Sequence, residues 1–317
     1  MKISFSKAAS LLGLLVFSFS LHAQTVRIVV PFAAGGVQDI IARSINAEFG
    51  AKIGRTVIVE NRTGAGGTIG NASVAKSAPD GTTLLLAAAS HTITGHVYAR
   101  LPYHPLRDFT PVAHIGNVDY VLMINSELPV KSVQELIVFL KKEPGKYNFA
   151  SAGTGSATHL SMAYFSSLAG VEMVHIPFKA TNEAIQEVMV GRAHAVMAST
   201  IGALPFARDA RFKMLGVSGA KRSRFAPELP TIAESGLPGY EFDSWIGLLG
   251  PAGMPKATVE QMNAAVAALL KDPAILDRLA KQGVEPLALS PEAFGKLLQS
   301  DFARMERVVK AAGARID

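Results

Sequence analysis

The chain has 317 residues, no cysteine, 49% hydrophobic and 18% charged residues, and a net charge of +6. This describes a globular protein of one large or two medium domains rather than a disordered one. It excludes disulfides, thiolate metal ligands and a thiol nucleophile, and without a Lys/Arg cluster interleaved with aromatics nucleic acid is not an expected partner.

Residues 1–23 read as a secretory signal peptide. Lys2 and Lys7 give a positive start, Leu11 to Phe19 an apolar core, and Ala23 a small residue at a plausible cleavage point. The apolar run is too short to span a bilayer. An uncleaved anchor is the alternative. Cleavage removes two lysines and no acid, so the charge falls from +6 to +4. No later window is apolar enough to cross a membrane, so the mature protein is expected to be soluble and exported.

The chain is organised around Ile28 to Asp39, IVVPFAAGGVQD. A short apolar strand runs into the small-residue turn Ala33-Ala34-Gly35-Gly36. A helix follows, with Val37, Ile40, Ile41, Ile45 and Phe49 at helical spacing. The first N–H groups of a helix have no partner inside it, and with the helix dipole they favour an anion. Thr56 to Glu60 is a second strand, leading into the glycine-dense stretch 61–70. Thr83 to Ala88 is a buried strand, Leu101 to Thr110 a proline-containing loop, and Val118 to Ile124 a further strand.

The opening pattern returns at Tyr147 to Gly170. A strand meets the turn Ser151-Ala152-Gly153-Thr154-Gly155-Ser156, and a helix follows over 158–168. Val174 to Phe178 is a strand, and Lys179 to Asn182 leads into another helix. Ala193 to Ala198 and Met214 to Val217 are strands. Leu229 to Gly239 is a connector, Ile246 to Leu249 a strand, and helices cover 257–270, 274–281 and 291–311. Alternating strands and helices predict an α/β fold with a mainly parallel sheet. The two strand–turn–helix units predict two domains offering helix N-termini to one cleft. The chain leaves the first domain near 124 and returns near 240, so domain 1 is 24–123 plus 241–317 and domain 2 is 124–240. Two crossings form a hinge pair.

Several chemistries find no support. The glycines at 64, 66, 67 and 70 mimic a dinucleotide fingerprint but do not follow the first strand of the unit, and Asp80 sits in a Pro-Asp-Gly turn. No Walker loop, HExxH or H-x-x-x-H pattern occurs, so neither cofactor nor metal is expected. Ser151, Ser156, Ser199, His159 and Asp39 could compose a hydrolase, but no G-x-S-x-G elbow exists, and an enzyme is not expected. His159, three residues after Ser156, reads either as a ligand or water contact or as a capping or packing histidine. Asp39 reads either as a helix cap or as a group orienting ligand-bridging water, with Arg43 placed to pair with it at i, i+4. Trp245 and Asp243, at the return crossing, read as core or hinge residues.

The chain resembles the substrate-binding proteins of tripartite tricarboxylate transporters, the Bug family, over nearly all of its mature length. The resemblance is carried by IVVPFAAGGVQDIIAR (28–43), VENRTGAGGTIG (59–70), PDGTTLL (79–85), YNFASAGTGSATHL (147–160), HIPFKATNEAIQEVMVGRAHAVM (175–197) and WIGLLGPAGMP (245–255). It implies a two-domain periplasmic-binding-protein type II-like fold whose cleft closes on a small organic acid anion. It also implies a periplasmic location, a monomer, and membrane permease subunits as partners. A receptor feeding a signalling system is the alternative, and an exported hydrolase a more distant one. It implies a ligand wall of Phe32, Ala34, Gly35, Gly36 and Asp39, with backbone donors from Ala65, Gly66 and Gly67. Ser151, Gly153, Thr154, Gly155, Ser156 and His159 would face them, beside Phe178, Lys179 and Ala180, with Ser90 and Ser199 at strand ends. The sequence departs from the family pattern at Ala33-Ala34, where prolines are usual, and at Ala180-Thr181, where paired glycines are usual. The second departure adds bulk and a hydroxyl near the pocket.

Overall fold

The computed structural model describes residues 25–313, and the expected signal segment lies outside them. Strand β1 (Val26–Val30) pairs in parallel with β2 (Val57–Asn61) on one side and β3 (Thr83–Ala88) on the other. All six residues of β3 are buried because helices cover both faces of the sheet. These are α1 (Val37–Ile53), α2 (Thr68–Ala75) and α3 (Ser90–Val97). Ile41, Ile45 and Phe49 of α1 are buried as the spacing predicts, whereas Val37 and Ile40 in its first turn are exposed.

The long strand β4 (Phe109–Asn125) joins the two halves of the molecule. It takes in part of the stretch expected to be a loop and is longer than the strand expected over 118–124. Up to Asp119 it runs antiparallel to β9 (Asp243–Pro251), which in turn lies beside β3. The short strand β10 (Val284–Pro286) flanks it there. From Tyr120 onward β4 pairs instead with β7 (Ala195–Ser199) and β8 (Phe212–Val217). Beyond β7 lie β5 (Asn148–Ser151) and β6 (Val174–Pro177), both parallel. The sheet path is therefore β2-β1-β3-β9-β4-β7-β5-β6.

The second half carries α4 (Val133–Lys142), α5 (Ala157–Ala169), α6 (Thr181–Met189) and the single turn α7 (Thr200–Ala203). The C-terminal part adds α8 (Lys256–Leu269), α9 (Pro273–Ala280) and α10 (Pro291–Ala312). The last helix packs on α3 of the first half and α5 of the second. One buried cluster accordingly runs through both halves, from Val29 and Leu85 past Trp245 and Phe294 to Leu160 and Phe165. Each half has a further cluster on its other face.

A buried carboxylate anchors α10. Asp301, 2% exposed, accepts from Trp245 Nε1 at 2.9 Å and from Arg304 at 2.7 Å, and Thr92 of α3 donates to it as well. It thus ties the return strand, the first half and the bridging helix together. Replacing one partner of a buried hydrogen-bonded charge costs about 3–5 kcal/mol, because the remaining groups lose their compensation. Asp301→Ala is expected to lower the unfolding free energy by about that amount in a urea titration.

His91 packs nearby against Phe109 and Trp245, and its Nε2 donates to the Pro105 carbonyl at 2.8 Å. Burial pushes its pKa down from 6.5 to about 4. Above 6.5 both folded and unfolded chains hold it neutral. Below 6.5 the unfolded chain takes up a proton that the folded one resists, so stability is lost as pH falls toward about 4. Thermal melts across this window should show a falling midpoint, with a shallower fall in His91→Met.

Candidate functional site

The first turn is held from within. Gly35 adopts φ 79°, open to glycine, and donates its N–H to Asp39 Oδ2 at 2.9 Å. Gly36 N–H donates to the Ala33 carbonyl. The Asp39 carboxylate also accepts from Arg43 Nε and from Asn61 Nδ2, each at 3.0 Å. The Arg43 guanidinium, followed by the Gly35 and Asn61 donors, holds its pKa down to about 2 against the penalty of burial. Asn61 Nδ2 reaches the Phe32 carbonyl as well. Asp39 is 3% exposed and locks the turn to α1 and β2. Of the two readings of Asp39, the geometry is that of a cap and brace.

The second turn repeats the arrangement with neutral groups. Gly155, at φ 78°, donates its N–H to His159 Nδ1 at 3.1 Å. Ala152 N–H donates to Thr158 Oγ1, Gly153 N–H to Ser151 Oγ, and Ser156 N–H to the Gly153 carbonyl. Ser156 caps α5 by accepting from His159 N–H. His159 is 3% exposed and stacks on His175 with ring centres 3.9 Å apart. Burial, with the neighbouring His175, lowers its pKa to about 4. Ser151 is fully buried, with its hydroxyl 2.6 Å from His175 Nε2.

Most amides of both turns are thus already committed. Among the described residues no group accepts from the N–H of Val37 or Gln38 at the start of α1. The same holds for Thr154, and for Ala157 and Thr158 at the start of α5. These residues face one another across a cavity of about 500 Å³ between the two halves. Its floor is Val118 and Tyr120 of β4 with Ser244 and Ile246 of β9. One face of α3 forms a side, through Ser90, Ile93, Thr94 and Val97, and Thr181 of α6 and Ser199 before α7 complete the polar rim. Five helices therefore begin at this cavity, and no described residue in its lining carries a formal charge.

Of the residues named from the sequence, Phe32, Gly66, Ser90, Thr154, Gly155, Ser156 and Ser199 line the cavity. Ala34, Gly35 and Gly36 lie in the exposed turn beside it, and their neighbours Val37 and Gln38 form the wall instead. Ala65 and Gly67 flank Gly66, whose missing side chain leaves room for the Tyr98 hydroxyl. Gly153, Phe178, Lys179 and Ala180 lie outside the lining, and Phe178 packs on the second half's core. Ser151, His159 and Asp39 are not among the residues that line the cavity. They stand behind the turns, because their side chains are the acceptors that the turn amides need. Of the two readings of His159, the buried bracing one describes its position. The α3 face was missed, although Ser90, Ile93, Thr94 and Val97 fall at i, i+3, i+4 and i+7. Its run of β-branched residues, Thr92 to Thr94, argues weakly against a helix and hid the spacing.

The family model described as the tripartite tricarboxylate transporter family receptor matches residues 41–314. Protein BugT of Bordetella pertussis is 31% identical over 296 residues, 93% of this chain and 91% of that protein. The structure of R. palustris Rpa4515 with adipate is 34% identical, with TM-score 0.76, over 92% of this chain and 98% of that one. MatC (Rpa3494) from Rhodopseudomonas palustris, with bound malate, is 33% identical, with TM-score 0.71, over 90% of this chain and 98% of that one. The fold is the two-domain α/β periplasmic-binding type expected from the sequence. The family is one of solute-binding receptors, not enzymes. The chain belongs to the tripartite tricarboxylate transporter receptor family.

Proposed function

We propose that this protein is an exported, periplasmic receptor that captures a small organic carboxylate and delivers it to membrane permease subunits. The observation that carries the reading is the cavity itself, where five helices begin, the α1 and α5 starts bring unpartnered amides, and no described lining residue is charged. Helix N-termini with free N–H groups favour an anion. Relatives solved with adipate and with malate support a carboxylate as that anion. The carboxylate docks on the Ala157 and Thr158 amides and nearby hydroxyls, and the α1 amides meet it from the other side. The domains, 24–123 with 241–317 and 124–240, then close about β4 and β9. The exchange of β4 partners at Asp119 and Tyr120 supports that hinge. Charge-assisted hydrogen bonds of roughly 1.5–3 kcal/mol each make micromolar affinity, about −8 kcal/mol, reachable after binding costs.

A thermal-shift screen against a panel of carboxylates tests the reading. At least one organic acid is expected to raise the melting temperature, while neutral sugars and divalent metals leave it unchanged. The opposite pattern would remove the assignment. Gly155 has open space where a side chain would begin, but its φ of 78° strains any other residue. Gly155→Val is expected to distort the turn and abolish the acid-induced shift while the apo protein still melts cooperatively. Unchanged affinity in that variant would take Gly155 out of the site.

A further inference from the structure

Each turn beside the cavity is braced by a side chain four residues on, Asp39 for Gly35 and His159 for Gly155. The first brace has a partner on a neighbouring strand. Asn61, at the end of the edge strand β2, donates to Asp39 Oδ1 and to the Phe32 carbonyl, each at 3.0 Å. The second brace has its counterpart on β6, the edge strand at the other end of the sheet. There His175 lies opposite Phe149 of β5, and its ring stacks on Phe149 and on His159, with centres 5.0 and 3.9 Å apart. Its Nε2 is also 2.6 Å from the Ser151 hydroxyl, whose oxygen accepts from the Gly153 N–H at 3.0 Å. Both acceptors of the glycine amides in the second turn therefore meet on one imidazole. Burial lowers the pKa of His175 from 6.5, so at neutral pH the ring is uncharged. The Ser151 proton goes to Nε2 rather than to the Gly153 carbonyl at 3.3 Å, which leaves the imidazole proton on Nδ1.

We propose that His175 is a positioning residue for ligand capture: from the edge strand it fixes the Ser151 hydroxyl and the His159 ring, and through them the turn that aims the start of α5 at the cavity. Its effect on binding rests on the carboxylate reading above, whereas its effect on the turn does not. His175 does not line the cavity between the halves, so it acts only through Ser151 and His159. With Phe149, His159 and Ser166 it borders a second cavity of about 590 Å³ behind the turn, so shortening its side chain opens no sealed void. The two links separate by chemistry. A phenyl ring in its place keeps the stack and loses the Nε2 acceptor, whereas a methyl group loses both.

Hydrogen exchange of backbone amides in the ligand-free protein, followed by NMR, tests this. In His175→Ala both Gly153 and Gly155 are expected to exchange roughly 2- to 13-fold faster, the factor for one net hydrogen bond. In His175→Phe only Gly153 is expected to respond, and in a Ser151→Ala background His175→Phe should have no further effect. Val196, in the adjoining β7 ladder, should exchange as in the wild type throughout. The 15N shift of His175 Nε2 is expected to be that of an unprotonated nitrogen, and Ser151→Ala to change it. Titration calorimetry with adipate and with malate is expected to show affinity lowered roughly 2- to 13-fold in His175→Ala. Unchanged exchange at Gly153 and Gly155, equal acceleration at Val196, or unchanged affinity for an acid that the wild type binds overturns the inference. Failure of the wild-type protein to bind either acid counts against the carboxylate reading, and the exchange result then decides the role of His175 alone.

Discussion

Among the described residues the cavity lining holds no cation, so an anion brought there would be met by backbone amides and hydroxyls alone. That requirement shapes the surrounding chain. Free amide donors are found chiefly where a helix begins or in the turn before it, because the helix or sheet consumes its own. Two turns from different parts of the sequence therefore point α1 and α5 at one gap. Each turn must also be rigid, which costs it some of its own donors. In the first turn Asp39 takes the Gly35 amide, and in the second His159 takes that of Gly155. What remains for a ligand is the next few amides along, on the helices themselves.

The two braces solve one problem by different chemistry. Asp39 is a carboxylate shared among Gly35, Arg43 and Asn61, and its charge is neutralised locally. His159 is an imidazole kept neutral by burial and stacked on His175. Neither therefore adds a free charge to the cavity. A bare carboxylate at the wall would repel the acid, and a protonated imidazole would lose the lone pair that holds Gly155.

Few strands connect the two halves. β4 and β9 carry the floor of the cavity and also the connection between the halves. The register shifts in β4 between Pro111 and Ala113 and between His114 and Gly116 break the regular ladder in the part that pairs with β9. Helix α10 backs the same region, since it touches both halves and is pinned by Asp301 to Thr92 and Trp245.

The sequence by itself determined the repeated strand–turn–helix grammar, the α/β class, the anion-favouring turns and the family. Those features are local: small residues at a strand end, helical spacing after them, and glycines where φ is positive. The Asp39–Arg43 pair was legible for the same reason, being a spacing within one helix. Only the tertiary structure decided which atoms of those turns face the cleft. Ser151, His159 and Asp39 share segments with wall residues, yet partners up to 24 residues away along the chain turn them inward. The floor of the cavity was equally hidden. Ala88, Val118 and Ile246 are unremarkable strand residues until three strands align them beneath one gap, and sheet register is a long-range property that no single segment encodes.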